Sequence, residues 1–355
     1  MLFPERAATT LTMNNDVATW WPLGGVAIVV FAAFFSAFLI VFLRPLLARY
    51  ALARPNARSS HKIPTPQGGG IAVVAATIAA VYGGAYFVPA AAAAAAALPT
   101  VFATVILIAG VGAADDVHSI AVVPKLLLQA LAVALVIHTL PDELRVVPLL
   151  PWWIERSLHL IGGLWFVNLV NFMDGLDWMT VAEVVPVTAT LALIGGLGAL
   201  PPQGLVVTLA LCGATLGFAS FNRPVARLFL GDVGSLPIGL MLGWLLLLLA
   251  GGGHLAAALL LPLYYLADAT VTLIRRLIRG EPVWQAHRTH FYQRATDGGF
   301  SVPEVVARVF AVNLGLCALA VMTVIVPGRL GQAAAVLAGA ALVTWLLVAF
   351  ARGKK

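Results

Sequence analysis

Apolar residues in this chain fall in long unbroken runs, separated by short segments rich in Pro, Gly and charge. Eleven runs approach the roughly 20 residues that a helix needs to cross a bilayer. They are 18–43, 69–90, 99–114, 123–140, 158–173, 179–199, 204–221, 233–251, 254–274, 304–326 and 331–351. The pattern predicts an all-α polytopic membrane bundle of about eleven helices, a single integral membrane domain over residues 1–355. The connections are too short to hold a soluble domain. The tract Ala90–Ala97 either extends the second run or forms a loop. The first run is too long for the apolar region of a secretion signal and has no clear cleavage site, so it reads as a helix. No strong internal repeat is visible.

Composition agrees. Of 355 residues, 61% are hydrophobic and 10% are charged, where soluble domains carry about a quarter charged. That excludes an isolated cytosolic enzyme, and it excludes disorder, which needs the opposite balance. The net charge of +6 suggests nucleic acid until the basic residues are located. With the amino terminus outside, seventeen Lys and Arg fall on inner segments and four (Arg6, Arg145, Arg156, Arg329) on outer ones. The basic excess therefore reads as topology, and no nucleic acid is expected. Cys212 and Cys317 both lie inside apolar runs, so neither a disulfide framework nor a thiolate metal site is indicated.

The same orientation puts Asp115, Asp116, Asp174, Asp177 and Asp232 at inner ends of runs or in adjoining loops. If these carboxylates converge they repel one another unless a cation binds among them. Oxygen-only ligands suit Mg²⁺, with Mn²⁺ as a substitute, rather than zinc. Lys62, Lys125, Arg275, Arg276, His287, Arg288 and His290 fall on that face too. Carboxylates, a divalent cation and basic side chains are the ingredients of phosphoryl transfer. Taken singly, each has a plainer use. Paired aspartates cap helices, loop histidines sit in solvent, and Arg275 with Arg276 anchors a span end at lipid headgroups. Convergence on one face favours chemistry.

Gly68, Gly69 and Gly70 follow a stiff Pro-containing stretch and lead into the second run. They either offer backbone N–H groups to an anion or form a tight turn into the helix. Gly231-Asp232-Val233-Gly234-Ser235 likewise holds an acid between small residues.

Four motifs, in order, resemble the polyprenyl-phosphate N-acetylhexosamine-1-phosphate transferase family. They are Asp115-Asp116, the stretch Asn168 to Asp177 containing Asn171 and Asp174, Asn222 with Asp232 ten residues on, and His287-Arg288-Thr289-His290. The likeness runs from about Arg58 to Arg294. It implies transfer of a sugar 1-phosphate from a UDP-N-acetylhexosamine to a polyprenyl phosphate, releasing UMP. It further implies Asp115 and Asp116 beside the lipid phosphate, Asn171 and Asp232 at Mg²⁺ on the diphosphate, and Asp177 and Asn222 at the uridine end. Asp174 would support that pocket, Lys62 and Lys125 would face phosphates, and His287, Arg288 and His290 would belong to a basic cytoplasmic loop, 275–302, closing on the donor. Attack by the lipid phosphate itself and an aspartyl-phosphate on Asp115 or Asp116 both stay open. The resemblance implies a multi-pass protein of a bacterial inner membrane with its site facing the cytoplasm, and a homodimer as a candidate assembly.

Trp178 stands where the family often has Gly, and Arg288 and Thr289 fill a position often held by histidine. Both features look more like the O-antigen-initiating branch, using GlcNAc-1-phosphate, than the peptidoglycan enzyme. The rival reading is a transporter or flippase of lipid-linked sugars, which would place ionisable groups near the midplane. Asp268 is the one acid clearly deeper than a turn, about 10 Å before Arg275 at 1.5 Å per residue. It reads as a functional group by default or as a partner for a neighbouring polar group.

Overall fold

The structure is a computed structural model that describes residues 15–53, 64–87, 89–282, 287–326 and 328–354. Fourteen helices follow one another among these residues. They are α1 (Asn15–Tyr50), α2 (Gly69–Phe87), α3 (Pro89–Ala96), α4 (Pro99–Val117), α5 (Val122–His138), α6 (Trp152–Met173) and α7 (Met179–Gly196), then α8 (Pro202–Ala219), α9 (Asp232–Gly251), α10 (Leu255–Leu260), α11 (Leu263–Ile278), α12 (Phe291–Asp297), α13 (Val302–Ile325) and α14 (Arg329–Arg352). Two short strands, β1 (Leu52–Ala53) and β2 (Thr65–Pro66), pair antiparallel beside the start of α2.

Every expected run contains a helix. Eight helices among the described residues are long and apolar enough to cross a membrane: α1, α2, α4, α7, α8, α9, α13 and α14. The other three expected runs depart from a plain span for visible reasons. α5 has 17 residues and is shorter. α6 has 22 but carries Glu155, Arg156 and His159 in its first half. The run 254–274 breaks at Leu261-Pro262, because proline supplies no N–H and collides with the preceding turn. The alanine tract is a separate short helix, α3.

α9 lies at the centre, with 89% of its span buried, whereas α1 sits at the periphery with 22% buried. α4, α6, α2 and α10 pack around α9. Three hydroxyls inside the bundle are satisfied locally: Thr77, Thr188 and Thr215 each donate to the carbonyl four residues earlier. Such bonds remove the cost of a polar group away from water.

Two glycines set how closely α9 is approached. A Cβ on Gly70 would lie 2.1 Å from the Gly234 Cα, and one on Gly112 would lie 2.3 Å from the Asp232 carbonyl oxygen. α2 and α4 thus run backbone against backbone with the first turn of α9. The Gly68–Gly70 turn serves the same joint. Gly68 and Gly69 donate to the Phe229 carbonyl (3.1 and 2.9 Å) and Gly70 to the Leu230 carbonyl (2.9 Å). These amides hold the segment entering α9, so the tight-turn reading is correct and the anion-cradle reading is not.

Gly112→Ala should cost about 1–3 kcal/mol through overpacking and lower the melting temperature in detergent. Gly110→Ala, two residues earlier on α4 with nothing within 4 Å of its Cβ, should melt unchanged or slightly higher. Identical melting of the two variants would refute this packing account.

Candidate active site

The amino-terminal turn of α9 organises the site. Gly231 adopts φ 76°, a region glycine takes freely, and a Cβ there would sit 2.5 Å from Asp116 Oδ2. Asp116, on the last turn of α4, accepts from the Asp232 amide (Oδ1, 2.9 Å) and the Val233 amide (Oδ2, 3.1 Å). It therefore caps α9 from a different helix, where the dipole favours negative charge. Asp115 accepts from the Ile120 amide (Oδ1, 2.7 Å) and from Lys125 Nζ (Oδ2, 2.6 Å). Lys125 also donates to Asp232 Oδ2 at 2.6 Å, bridging the two carboxylates. Asn171 completes the cluster by donating to Asp232 Oδ1 (2.7 Å) and Ser235 Oγ (2.8 Å).

Beside this cluster opens a polar cavity of about 270 Å³, with Asp116, Asn171, Asp174, Asp177, Asn222 and Asp232 in its wall. Six of the expected site residues thus meet around one space. Four carboxylates and the amides of Asn171 and Asn222, with no thiol or imidazole, suit a hard cation. Among the described residues no three acids or imidazoles stand close enough to form a ready cage. Mg²⁺ does not require one, since it is commonly held through one or two carboxylates together with substrate phosphates and water.

Asp177 and Asn222 also hold the wall itself. Asp177 Oδ2 accepts from the Ala226 amide (2.9 Å), and Asn222 Nδ2 donates to the Leu228 carbonyl (3.0 Å). Asn222 Oδ1 accepts from the backbone N–H of Trp178 (2.8 Å), whose indole donates to the Ala219 carbonyl (2.6 Å). Trp178 has φ 63°, uncommon for a bulky residue. These two bonds hold it in a conformation that glycine would take without strain. Asp174 keeps a strip open to the cavity but is otherwise enclosed. Enclosure pushes its carboxyl up to about 8, against the opposing hydrogen bond from the Thr180 hydroxyl.

A second cavity, about 600 Å³ and mainly apolar, lies on the other side of Lys125. Ile120, Val122, Leu126, Ile161, Trp165 and Leu273 line it, and Asp115 and Lys125 close its polar end. Asn171 lines both cavities.

The histidine segment docks from above through Asp268. Its fully buried carboxylate accepts from the Phe291 amide (2.9 Å), the Tyr292 amide (3.1 Å) and Tyr264 Oη (3.1 Å), with His290 Nδ1 at 3.3 Å. His290 is buried and stacks on His287, ring centroids 4.9 Å apart. Tyr292 Oη donates to the Phe172 carbonyl (2.9 Å), beside Gly175. Arg288 pairs with Asp297 at 3.1 Å and donates to Thr296 (3.2 Å). His287, Arg288 and His290 are thus near the cavity mouth but outside its wall. Asp268 is a structural partner, which removes the strongest support for a transporter even though the helix is broken at Pro262. Lys62 lies outside the described residues.

Gln67 and Gln293 line the polar cavity without having been expected. Gln67 Nε2 donates to the Asp116 carbonyl (2.9 Å), and Gln293 Oε1 accepts from the His290 amide (3.3 Å). Only the neighbouring glycine turn and histidine motif pointed to them.

Residues 98–250 match the model of glycosyl transferase family 4, a stretch that holds Asp115 to Asp232 and ends before the histidine segment. The chain is 26% identical over 291 residues to a probable undecaprenyl-phosphate N-acetylglucosaminyl 1-phosphate transferase of Bacillus subtilis, covering 77% of this chain and 78% of that one. It is 28% identical over 249 residues to a decaprenyl-phosphate N-acetylglucosaminephosphotransferase of Mycolicibacterium smegmatis (64% and 61% covered). The protein of that name from Mycobacterium leprae is 28% identical over 295 residues (73% of each).

Two expectations follow from the geometry. Asp174→Asn should raise the melting temperature by an amount that grows from about pH 4 to about pH 8. Across that window the unfolded carboxyl is ionised while the folded one still holds its proton, so the native aspartate loses stability as pH rises. A gain that is flat with pH would contradict it. Asp268→Ala should cost at least about 2 kcal/mol, by stranding two buried amides, and should open residues 287–302 to protease. Unaltered cleavage there would show that Asp268 does not hold the segment.

Proposed function

We propose that this chain, which belongs to glycosyl transferase family 4, transfers N-acetylglucosamine 1-phosphate from a UDP-sugar to a polyprenyl phosphate, releasing UMP. The product would initiate a lipid-linked cell-surface glycan such as O-antigen. The observation that carries this reading is the junction at Lys125. Its ammonium joins Asp115, at the polar end of an apolar cavity, to Asp232, in the wall of a polar one. An isoprenoid tail suits the first space and a nucleotide sugar the second, so their phosphates would meet at Lys125. The names of the relatives, which act on undecaprenyl or decaprenyl phosphate, support the acceptor.

The reaction forms a new P–O–P bond between an oxygen of the lipid phosphate and the sugar-bearing phosphorus. The bond to the nucleotide phosphate breaks, and UMP leaves. A phosphomonoester is largely ionised near neutral pH (second pKa about 6), so the acceptor needs little help from a base. Direct attack is favoured over an aspartyl-phosphate because both carboxylates are engaged: Asp116 on two α9 amides, Asp115 on Lys125 and the Ile120 amide. Lys125 would orient the acceptor and offset its charge. Asn171 and Asp232 would hold Mg²⁺, or Mn²⁺, with the donor diphosphate, and the metal would neutralise charge developing on the phosphates. Asp177, Asn222 and Asp174 would shape the nucleotide end.

The purified protein in detergent should release UMP from UDP-GlcNAc only with polyprenyl phosphate and Mg²⁺ present. Asp232→Asn should reduce the rate by about two orders of magnitude or more, equivalent to about 2.7 kcal/mol of transition-state stabilisation, with little change in melting. Full turnover in excess EDTA would sink the metal role, and no UMP under any condition would sink the transferase.

The excess of basic residues on one set of segments supports a cytoplasmic site in a bacterial plasma membrane, with 275–302 as its cytoplasmic loop. Asp297→Cys should then be labelled by an impermeant thiol reagent only from the cytoplasm, and Asp142→Cys only from outside. Native Cys212 and Cys317 are buried. Labelling of both sites from the same side would overturn the orientation.

A further inference from the structure

A third cavity, about 280 Å³, opens between the carboxyl end of α11 and α12, away from the carboxylate cluster. Arg275 and Arg276 of α11, Arg279 just after it and Arg294 of α12 line it, with Glu281 as its one acid. That acid is taken: Arg276 donates to Glu281 Oε2 at 2.8 Å and to the Pro282 carbonyl at 3.0 Å. Asp297, the nearest acid of α12, pairs with Arg288. Among the described residues no carboxylate pairs with Arg275, Arg279 or Arg294. Arg275 and Arg294 instead both lie over the Phe291 ring, 5.3 and 5.9 Å from its centroid. The buried Arg276 Nε has no hydrogen-bond partner.

Three guanidiniums around a concavity repel one another and concentrate anions there. Their planar forks match phosphate oxygens better than any single-point anion. We infer that this cavity is a binding site for a phosphate-bearing anion, separate from the reaction centre. The surroundings favour a lipid as its source. Ile274, Leu277 and Ile278, on the same turns of α11, are 50%, 67% and 79% exposed, a surface that suits acyl chains beside a headgroup. An anion shared by Arg275, Arg279 and Arg294 would tie α11 to α12, and with α12 the His290–Asp268 contact. Acidic phospholipid would thereby brace the segment that roofs the polar cavity.

The test uses full-length protein in neutral detergent, without nucleotide sugar or polyprenyl phosphate, so its outcome is independent of the proposed transferase activity. Melting is compared with added phosphatidylglycerol, phosphatidylcholine or inorganic phosphate. Phosphatidylglycerol should raise the melting temperature by on the order of 2 °C or more over phosphatidylcholine, and the rise should vanish in Arg275→Gln/Arg279→Gln/Arg294→Gln. Should that triple variant not fold, Arg279→Gln, at an exposed position whose side chain makes no hydrogen bond or ion pair among the described residues, should fold and show a reduced rise. A rise with inorganic phosphate, lost in the same variants, would keep the site and assign it a soluble phosphate. No rise with either anion, or an equal rise in wild type and variants, would overturn the proposal.

Discussion

Everything at the candidate site depends on keeping several carboxylates together at the end of a membrane bundle. Asp115, Asp116 and Asp232 would separate if left to mutual repulsion, and two local devices prevent it. The dipole and free amides of α9 absorb Asp116, and Lys125 neutralises the other two. Neither device works unless α4 reaches the first turn of α9, and that reach is what Gly112 permits. Packing in the apolar interior and electrostatics at the polar end are therefore one constraint. The lysine that relieves the repulsion also stands between the apolar and polar cavities, so stability and chemistry draw on the same ammonium.

The sequence made the helices legible because each apolar run approached the bilayer thickness and few polar residues blurred its ends. It also placed the acids on one face, since they fall at run ends on one side of an alternating topology. Three features were hidden for identifiable reasons. The break at Pro262 disappears in an apolar run, because leucines on either side keep it hydrophobic. Gly68–Gly70 read equally as an anion cradle or a tight turn because composition does not tell which acceptor the amides meet, and here it is the carbonyls of Phe229 and Leu230. Asp177 and Asn222 looked like ligand contacts, yet much of their hydrogen bonding is spent on the 220–228 loop and on the Trp178 amide. A side chain that builds a wall and one that touches what the wall encloses carry the same letter.

Asp268 shows the converse. A carboxylate deep in a span reads as a site of function, and it does bear on function, but through architecture. It gathers the first amides of α12, a tyrosine hydroxyl and His290. The position of the histidine segment is thus set from inside the bundle rather than by the loop's own sequence. The residues that tie it down, Tyr292 against Phe172 and Gln293 beside Gly175, are aligned on the same short helix.

The interruption at Leu261-Pro262 separates α11 from α10, so α11 is not continuous with the helix before it. Leu273 faces the apolar cavity, while Arg275 and Arg279, within two turns of it, face the basic one. A tilt of α11 about the break would alter the width of both spaces together. Two ligands that bias such a tilt are linked, and linkage is reciprocal: each changes the affinity of the other by the same factor. A bundle otherwise locked by glycine contacts would then communicate along a lever sixteen residues long.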